Sequence, residues 1–177
     1  KDDFRPDPDI PKQHQSQLTD YAGQPYDRGH LAPGANNTQN DIIMSESFFL
    51  SNMMPQVPNN NRGIWKQLET YIRNWVLEGK DIYLVTGTYY AQGYQTIGAN
   101  KVGIPTHAWK VIVDRQKGKA IGFFIPNTAL PVADLPKYAV TVEQIERMTG
   151  INFMPQLPAN LASVEKSFNL TEWSGLQ

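Results

Sequence analysis

The sequence predicts an α+β fold in which a mixed, largely antiparallel sheet is flanked by helices, and three observations predict it. Residues 107–114 and 119–125 are apolar runs joined by Arg115-Gln116-Lys117-Gly118, the pattern of a β-hairpin. Between Asn61 and Gly79, Ile64, Leu68, Tyr71, Ile72 and Trp75 recur at spacings of three and four, the apolar stripe of a helix. Thr141 is followed three positions later by Gln144, a capping box that starts a short helix over 142–148, and Gly150 stops it. With 177 residues, 40% hydrophobic and 19% charged, the chain reads as one globular domain over 1–177, long enough to close its own core.

The other segments follow in chain order. Prolines 6, 8 and 11 keep the first stretch extended, either as a loose arm or as one that delivers Arg5 to a site. Residues 13–24 are polar, and His14 among them reads as a surface residue. Residues 26–31 form a short strand, which Pro33 and Gly34 end. A helix is expected over 36–47 and a buried strand over 48–53. Pro55 and Pro58 bar residues 55–58 from a central ladder and make them extended loop. Asn59, Asn60 and Asn61 offer caps for the striped helix, with Trp65 and Val76 at the edge of its stripe. Residues 81–87 are a strand, 87–98 a loop rich in Tyr and Gly, and His107 a structural residue at a strand start. Prolines at 126, 131 and 136 make the next stretch irregular, and the tail from Asn152 has no clear period.

Composition narrows the chemistry. Without cysteine there is no disulfide framework and no thiolate zinc site, and His14, His30 and His107 are too scattered for a His-rich metal cluster. Any metal should be hard and oxygen-bound, magnesium or calcium before zinc. The longest apolar runs fall far short of the roughly 20 residues of a membrane helix, so no membrane role is expected. A net charge of −1 speaks against a protein that stores nucleic acid, because sequence-independent affinity comes from neutralising phosphates. An enzyme that releases its product needs only a local basic patch. The absence of cysteine suits a secreted or periplasmic protein, and the start at Lys1 without methionine leaves room for a removed address.

The chemistry concentrates in Tyr26-Asp27-Arg28-Gly29-His30-Leu31-Ala32-Pro33-Gly34. An imidazole, with an unperturbed pKa of about 6.5, takes a proton near neutrality. The guanidinium of Arg28 can grip a phosphate through two parallel bonds, and Asp27 can orient either neighbour. Gly29 lets the chain turn, or lets a phosphate or another backbone come close. The bland reading is a turn with a surface ion pair and His30 packed under a loop. On the helix, Arg62, Lys66, Glu69 and Arg73 share a second strip, which on its own would be a solvated face. Asn61, in the first turn and near the apolar stripe, can turn its amide oxygen inward to a cation or serve as a cap. Phosphodiester cleavage needs an activated water, stabilised phosphoryl oxygens and help for the departing oxygen. His30 can supply the first, a hard cation the others, and arginines can hold the phosphate.

Asp27-Arg28-Gly29-His30-Leu31-Ala32-Pro33, then Ser51-Asn52-Met53-Met54-Pro55-Gln56, then Asn61-Arg62-Gly63-Ile64-Trp65-Lys66-Gln67-Leu68-Glu69 resemble the DNA/RNA non-specific endonucleases. That family includes endonuclease G and the sugar-nonspecific bacterial nucleases and belongs to the His-Me finger (ββα-metal) superfamily. The likeness extends to residues 4–8, 104–110 and 144–150, and so covers nearly the whole chain. It implies a His-Me finger fold with His30 as general base and Asn61 as the one direct protein ligand of Mg2+, with Mn2+ or Ca2+ as substitutes. Glu69 is similar to the residue that holds water on the metal. Arg5, Arg28 and Arg73 resemble the phosphate-contacting or transition-state arginines, and Asn52 resembles a supporting asparagine. The implied activity is cleavage of DNA and RNA, single- or double-stranded, to 5′-phosphate ends. A mitochondrial location would go with the endonuclease G type. A homodimer and a protein inhibitor are left open as partners. Two rivals stand beside this reading: a catalytically weak nucleic-acid-binding module, and a metal phosphodiesterase for small substrates.

Overall fold

The computed structural model describes residues 3–36, 40–156 and 163–177. Its centre is an antiparallel sheet in the order β3-β6-β7-β8, formed by β3 (Ile82–Tyr89), β6 (His107–Asp114), β7 (Lys119–Pro126) and β8 (Ala139–Val140). β6 and β7 are the expected hairpin, with His107 opposite Pro126 and Asp114 opposite Lys119. Side chains alternate across the sheet, and both faces are covered. On one face Ala108, Ile112, Ile121 and Phe123 pack against Ile64, Trp65, Leu68, Ile72 and Trp75 of the striped helix. On the other, Trp109, Val111, Val113 and Ala120 pack against Val142 and Ile145 of α4 (Val142–Thr149). Both bonds of the Thr141–Gln144 capping box are formed, and Gly150 closes α4 in the left-handed region at φ 73°. The fold is α+β as expected, but all its named strand pairs are antiparallel. Arg5 and Phe49 make an isolated parallel bridge.

Beside this sheet, β1 (Asp27–His30) pairs antiparallel with β2 (Met53–Gln56), and the helix follows directly. Here the structure corrects two expectations. The apolar run at 48–53 is not a strand: Leu50–Asn52 is a 3-10 turn, and pairing begins only at Met53. Pro55 lies inside the ladder, opposite Arg28. Its carbonyl accepts from Asn127 Nδ2 (3.0 Å), so its backbone faces away from β1 and the missing N–H costs no ladder bond.

The helix also begins differently from the capped start expected. Asn59 makes no side-chain cap; Asn60–Trp65 is a wide π-type turn broken at Gly63, and the regular helix α3 runs over Lys66–Leu77. Trp65 is fully buried rather than marginal, whereas Val76 is half exposed. The expected helix over 36–47 is shorter, α2 (Asp41–Glu46), capped by Asn40; its start falls partly outside the described residues. α1 (Leu18–Tyr21) lies in the stretch that looked uninformative, where buried Asp20 accepts from Asn100 of the loop between β4 (Thr96–Ile97) and β5 (Val102–Gly103). The tail without a period closes the far end of α3: Trp173 packs on Trp75 (centroids 4.8 Å apart), whose indole donates to the Ser174 carbonyl. Among the described residues no helix is long and apolar enough to cross a membrane.

Candidate active site

Two adjoining hollows, of about 560 and 440 Å³, meet at His30, Asn61 and Arg62. The first is walled by Phe4, Tyr21, Tyr26, Asp27 and Arg28; the second by Pro33, Phe48, Lys66, Glu69 and Arg73. The end of β1 and the wide turn before α3 thus bring His30 and Asn61 to one concave surface. Arg28, Arg62, Lys66 and Arg73 make that surface locally cationic although the chain as a whole is not.

The sequence placed Asp27 to orient Arg28 or His30; its side-chain hydrogen bonds come from Asn61 and Arg62, with the Arg28 charge acting on it as well. Its carboxylate accepts from Asn61 Nδ2 (2.9 Å) and from Arg62 Nε and Nη2 (2.8 and 2.7 Å). Burial alone would push the Asp27 carboxyl up, but the bonds from Arg62 and Asn61 and the charges of Arg62 and Arg28 hold it below the usual carboxylate range. A carboxylate can face only the donor end of an amide, so the Asn61 oxygen is turned away from Asp27.

The His30 ring is gripped by aromatic edges. Phe48 meets it at right angles (5.0 Å) and Phe4 lies tilted at 5.8 Å. The Arg28 guanidinium sits 4.1 Å over the Phe4 ring. The N-terminal arm therefore contributes Phe4, a residue that sequence reasoning missed; its signal was an aromatic beside the arginine that drew attention. Arg5 instead bonds Asp3 and the Ser45 carbonyl (3.0 Å) and covers Phe49. Asn52 ties the loop after His30, donating to the carbonyls of Ala32 and Ser47 (both 2.8 Å) and accepting from the Ala32 amide. Neither Arg5 nor Asn52 is among the residues that wall the hollows.

Gly29 is explained by its neighbour rather than by a turn. It sits mid-strand, and a Cβ there would lie 2.8 Å from Gln56 Cβ and 2.9 Å from its Cδ. Gln56 is fully buried and donates to Asn60 Oδ1 (2.8 Å), while Asn60 in turn donates to the carbonyls of Pro126 and Thr128. Gly29→Ala is expected to displace Gln56 and cost about 1–3 kcal/mol, the range for overpacking. Urea unfolding would measure it, and an unchanged midpoint would contradict the account.

Glu69 is inside the structure, not on a solvated face. Burial pushes its carboxyl up, against the charges of Lys110 and Arg73. Its Oε1 is buried with no hydrogen-bond partner among the described residues. An orphaned carboxylate oxygen and an amide oxygen held away from its neighbour fit a hard, water-rich cation, and the arginines beside them fit the phosphate it would accompany. Among the described residues no group of three or more His, Cys, Asp or Glu gathers that could hold a metal ion. Lys110, given no role from sequence, lies beneath this site with no exposed surface, and burial pushes its ammonium down to about 8.

The family model for DNA/RNA non-specific endonucleases matches residues 1–160. The mitochondrial nuclease EXOG of Xenopus laevis is 39% identical over 170 residues, 87% of this chain and 48% of that protein. Human mitochondrial endonuclease G is 36% identical over 177 residues, 92% of this chain and 60% of that protein. A nuclease of Nostoc sp. is 34% identical over 173 residues, covering 91% and 62%. The chain thus spans about half to three fifths of the length of these curated relatives. Among solved structures, EndoG in complex with EndoGI, described as the mechanism of EndoG inhibition, superposes with a TM-score of 0.83 at 34% identity, over 89% of this chain and 71% of that one.

Proposed function

The chain belongs to the DNA/RNA non-specific endonuclease family, and on that premise we propose that it is a one-domain, magnesium-dependent endonuclease cutting DNA and RNA to 5′-phosphate ends. The observation that carries the reading is the meeting of His30 and Asn61 at the junction of the two hollows, with Asp27 fixing which end of the Asn61 amide is offered.

In this reading His30 takes the proton from a water that attacks phosphorus in line. Arg28, steadied on Phe4, and Arg73 hold the phosphoryl oxygens. Asn61 and, through water, Glu69 hold Mg2+, for which Mn2+ or Ca2+ can substitute. When bound, the cation supplies charge stabilisation for the phosphoryl group and the departing 3′ oxygen. Arg5 and Asn52 act from the margin, fixing the chain on either side of the site. Contacts of arginine and lysine with phosphate carry no base information, so sequence preference should be weak.

The relatives' names support two further parts of the reading. EXOG and endonuclease G are named as mitochondrial, which favours that compartment here over an exported one. EndoG is described as inhibited in its complex with EndoGI, which supports a protein inhibitor for this chain.

The test is the cutting of supercoiled plasmid and of a long RNA with Mg2+, with and without EDTA. Both substrates should be cut, and chelation should abolish cutting. Binding without cutting would return the chain to a binding module, and faster hydrolysis of a simple aryl phosphodiester than of either polymer would make it a small-substrate phosphodiesterase.

A further inference from the structure

β6 is buried along almost its whole length and carries one ammonium in its middle. Lys110 has 0% exposure and projects from the same face as Ala108 and Ile112, under the helix that carries Asn61 and Glu69. Burying an ammonium is costly unless its protons find acceptors. A methionine would fill the same space without that cost, so packing alone does not account for a lysine. Its partners do. Nζ donates to the Thr86 hydroxyl across the sheet (2.9 Å) and to the Leu31 carbonyl (3.2 Å), and it stands 4.4 Å from the centre of the Trp65 ring. Trp65, 1% exposed, donates its indole N–H to the His30 carbonyl (3.1 Å).

Two consecutive carbonyls at the end of β1 are therefore held from below by two buried donors that touch each other, one on the central sheet and one at the start of the helix. The pairing of β1 with β2 does not hold the His30 carbonyl, since its partner is the indole.

Resting on the nuclease reading above, we propose that Lys110 and Trp65 are positioning residues for His30: together they clamp the carbonyls of His30 and Leu31 and so set where the imidazole stands relative to the phosphate. Neither touches the substrate. Both also face Glu69, Lys110 by its charge and Trp65 by a hydrogen bond, but the clamp itself acts through the His30 backbone, and a displacement of about 1 Å at a reacting group can cost on the order of a hundredfold in rate. Without Lys110 the Leu31 carbonyl loses a buried donor, and the strand end would move to find another partner.

The experiment is steady-state plasmid cutting by Lys110→Met and Trp65→Phe, each made in the native chain and in His30→Ala. In the native background kcat should fall about tenfold or more for Lys110→Met and less for Trp65→Phe, with KM within about twofold. In His30→Ala neither should lower the residual rate further, because residues acting through one group are not additive with its loss. Circular dichroism reports folding, and should Lys110→Met not fold, Trp65→Phe, which removes only the indole N–H and the ring's outer edge, carries the same comparison. Folded variants with native kcat, a change confined to KM, or an equal fractional loss with and without His30 would overturn the clamp. A native protein that cuts nothing refutes the nuclease reading instead; native cutting with indifferent variants refutes only the clamp.

Discussion

His30→Ala is expected to lower turnover at least about a hundredfold, roughly 2.7 kcal/mol of barrier, the scale of a positioned general base. The fold should survive. The ring is only half-buried, and what fixes the His30 backbone, the pairing of β1 with β2 and the bond from Trp65, does not involve the side chain. Loss of the ring takes one aromatic contact from each of Phe4 and Phe48, which keep each other (5.0 Å), so a modest drop in melting temperature is expected beside the large drop in rate. A thermal melt and single-turnover cleavage separate the two effects. Because the base must be neutral to accept a proton, native turnover should climb across about pH 5 to 8, where an imidazole changes charge. Turnover near the native value in His30→Ala, or a flat profile over that window, would remove His30 from the role.

Much of this geometry was legible because the chemistry sits in short stretches of unusual composition. Asp27-Arg28-Gly29-His30 and the Asn61 to Arg73 strip stood out from a scaffold of ordinary periodic elements, and hairpin, stripe and capping box each announced a local structure whose interactions are themselves local. What stayed hidden depends on contacts far apart in the chain. Lys110 shares a face of β6 with Asp114, which by alternation suggests a wet side. That face is instead covered: Ala108 and Ile112 beside them pack against the helix, Asp114 is closed in by the turn amides of Gln116 and Lys117 and by Lys80, and both polar residues are buried. Phe48 and Phe49 looked like strand residues because they are aromatic and adjacent, yet one meets His30 and the other lies under Arg5. Proline at 55 argued against pairing, a rule that holds only where the N–H would have faced a neighbour. In each case the residue type was read correctly for an average environment, and a long-range partner changed the environment.

Asn61→Ala is the complementary expectation, aimed at the metal rather than the proton. Deleting the amide removes the one side-chain oxygen that Asp27 holds away from itself, leaving Glu69 as the remaining oxygen-bearing wall of the second hollow. The Mg2+ concentration for half-maximal cutting should rise at least about tenfold, with a lower plateau. Asp27→Ala tests the same oxygen from behind: the amide remains but is free to rotate, and loss of such an orienting partner typically costs about 10–100-fold in metal affinity. If Asp27 works mainly through Asn61, the double variant should be little worse than Asn61→Ala alone, since coupled residues do not add. Arg62, also released by Asp27→Ala, is largely exposed, so the loss of its ion pair should contribute little by itself. Isothermal calorimetry with Mg2+ and metal-dependent cutting should move together across the three variants. A Mg2+ titration of Asn61→Ala that overlies the native curve would take the metal away from this residue, and independent, multiplying losses in the double variant would mean that Asp27 serves the site by a separate route.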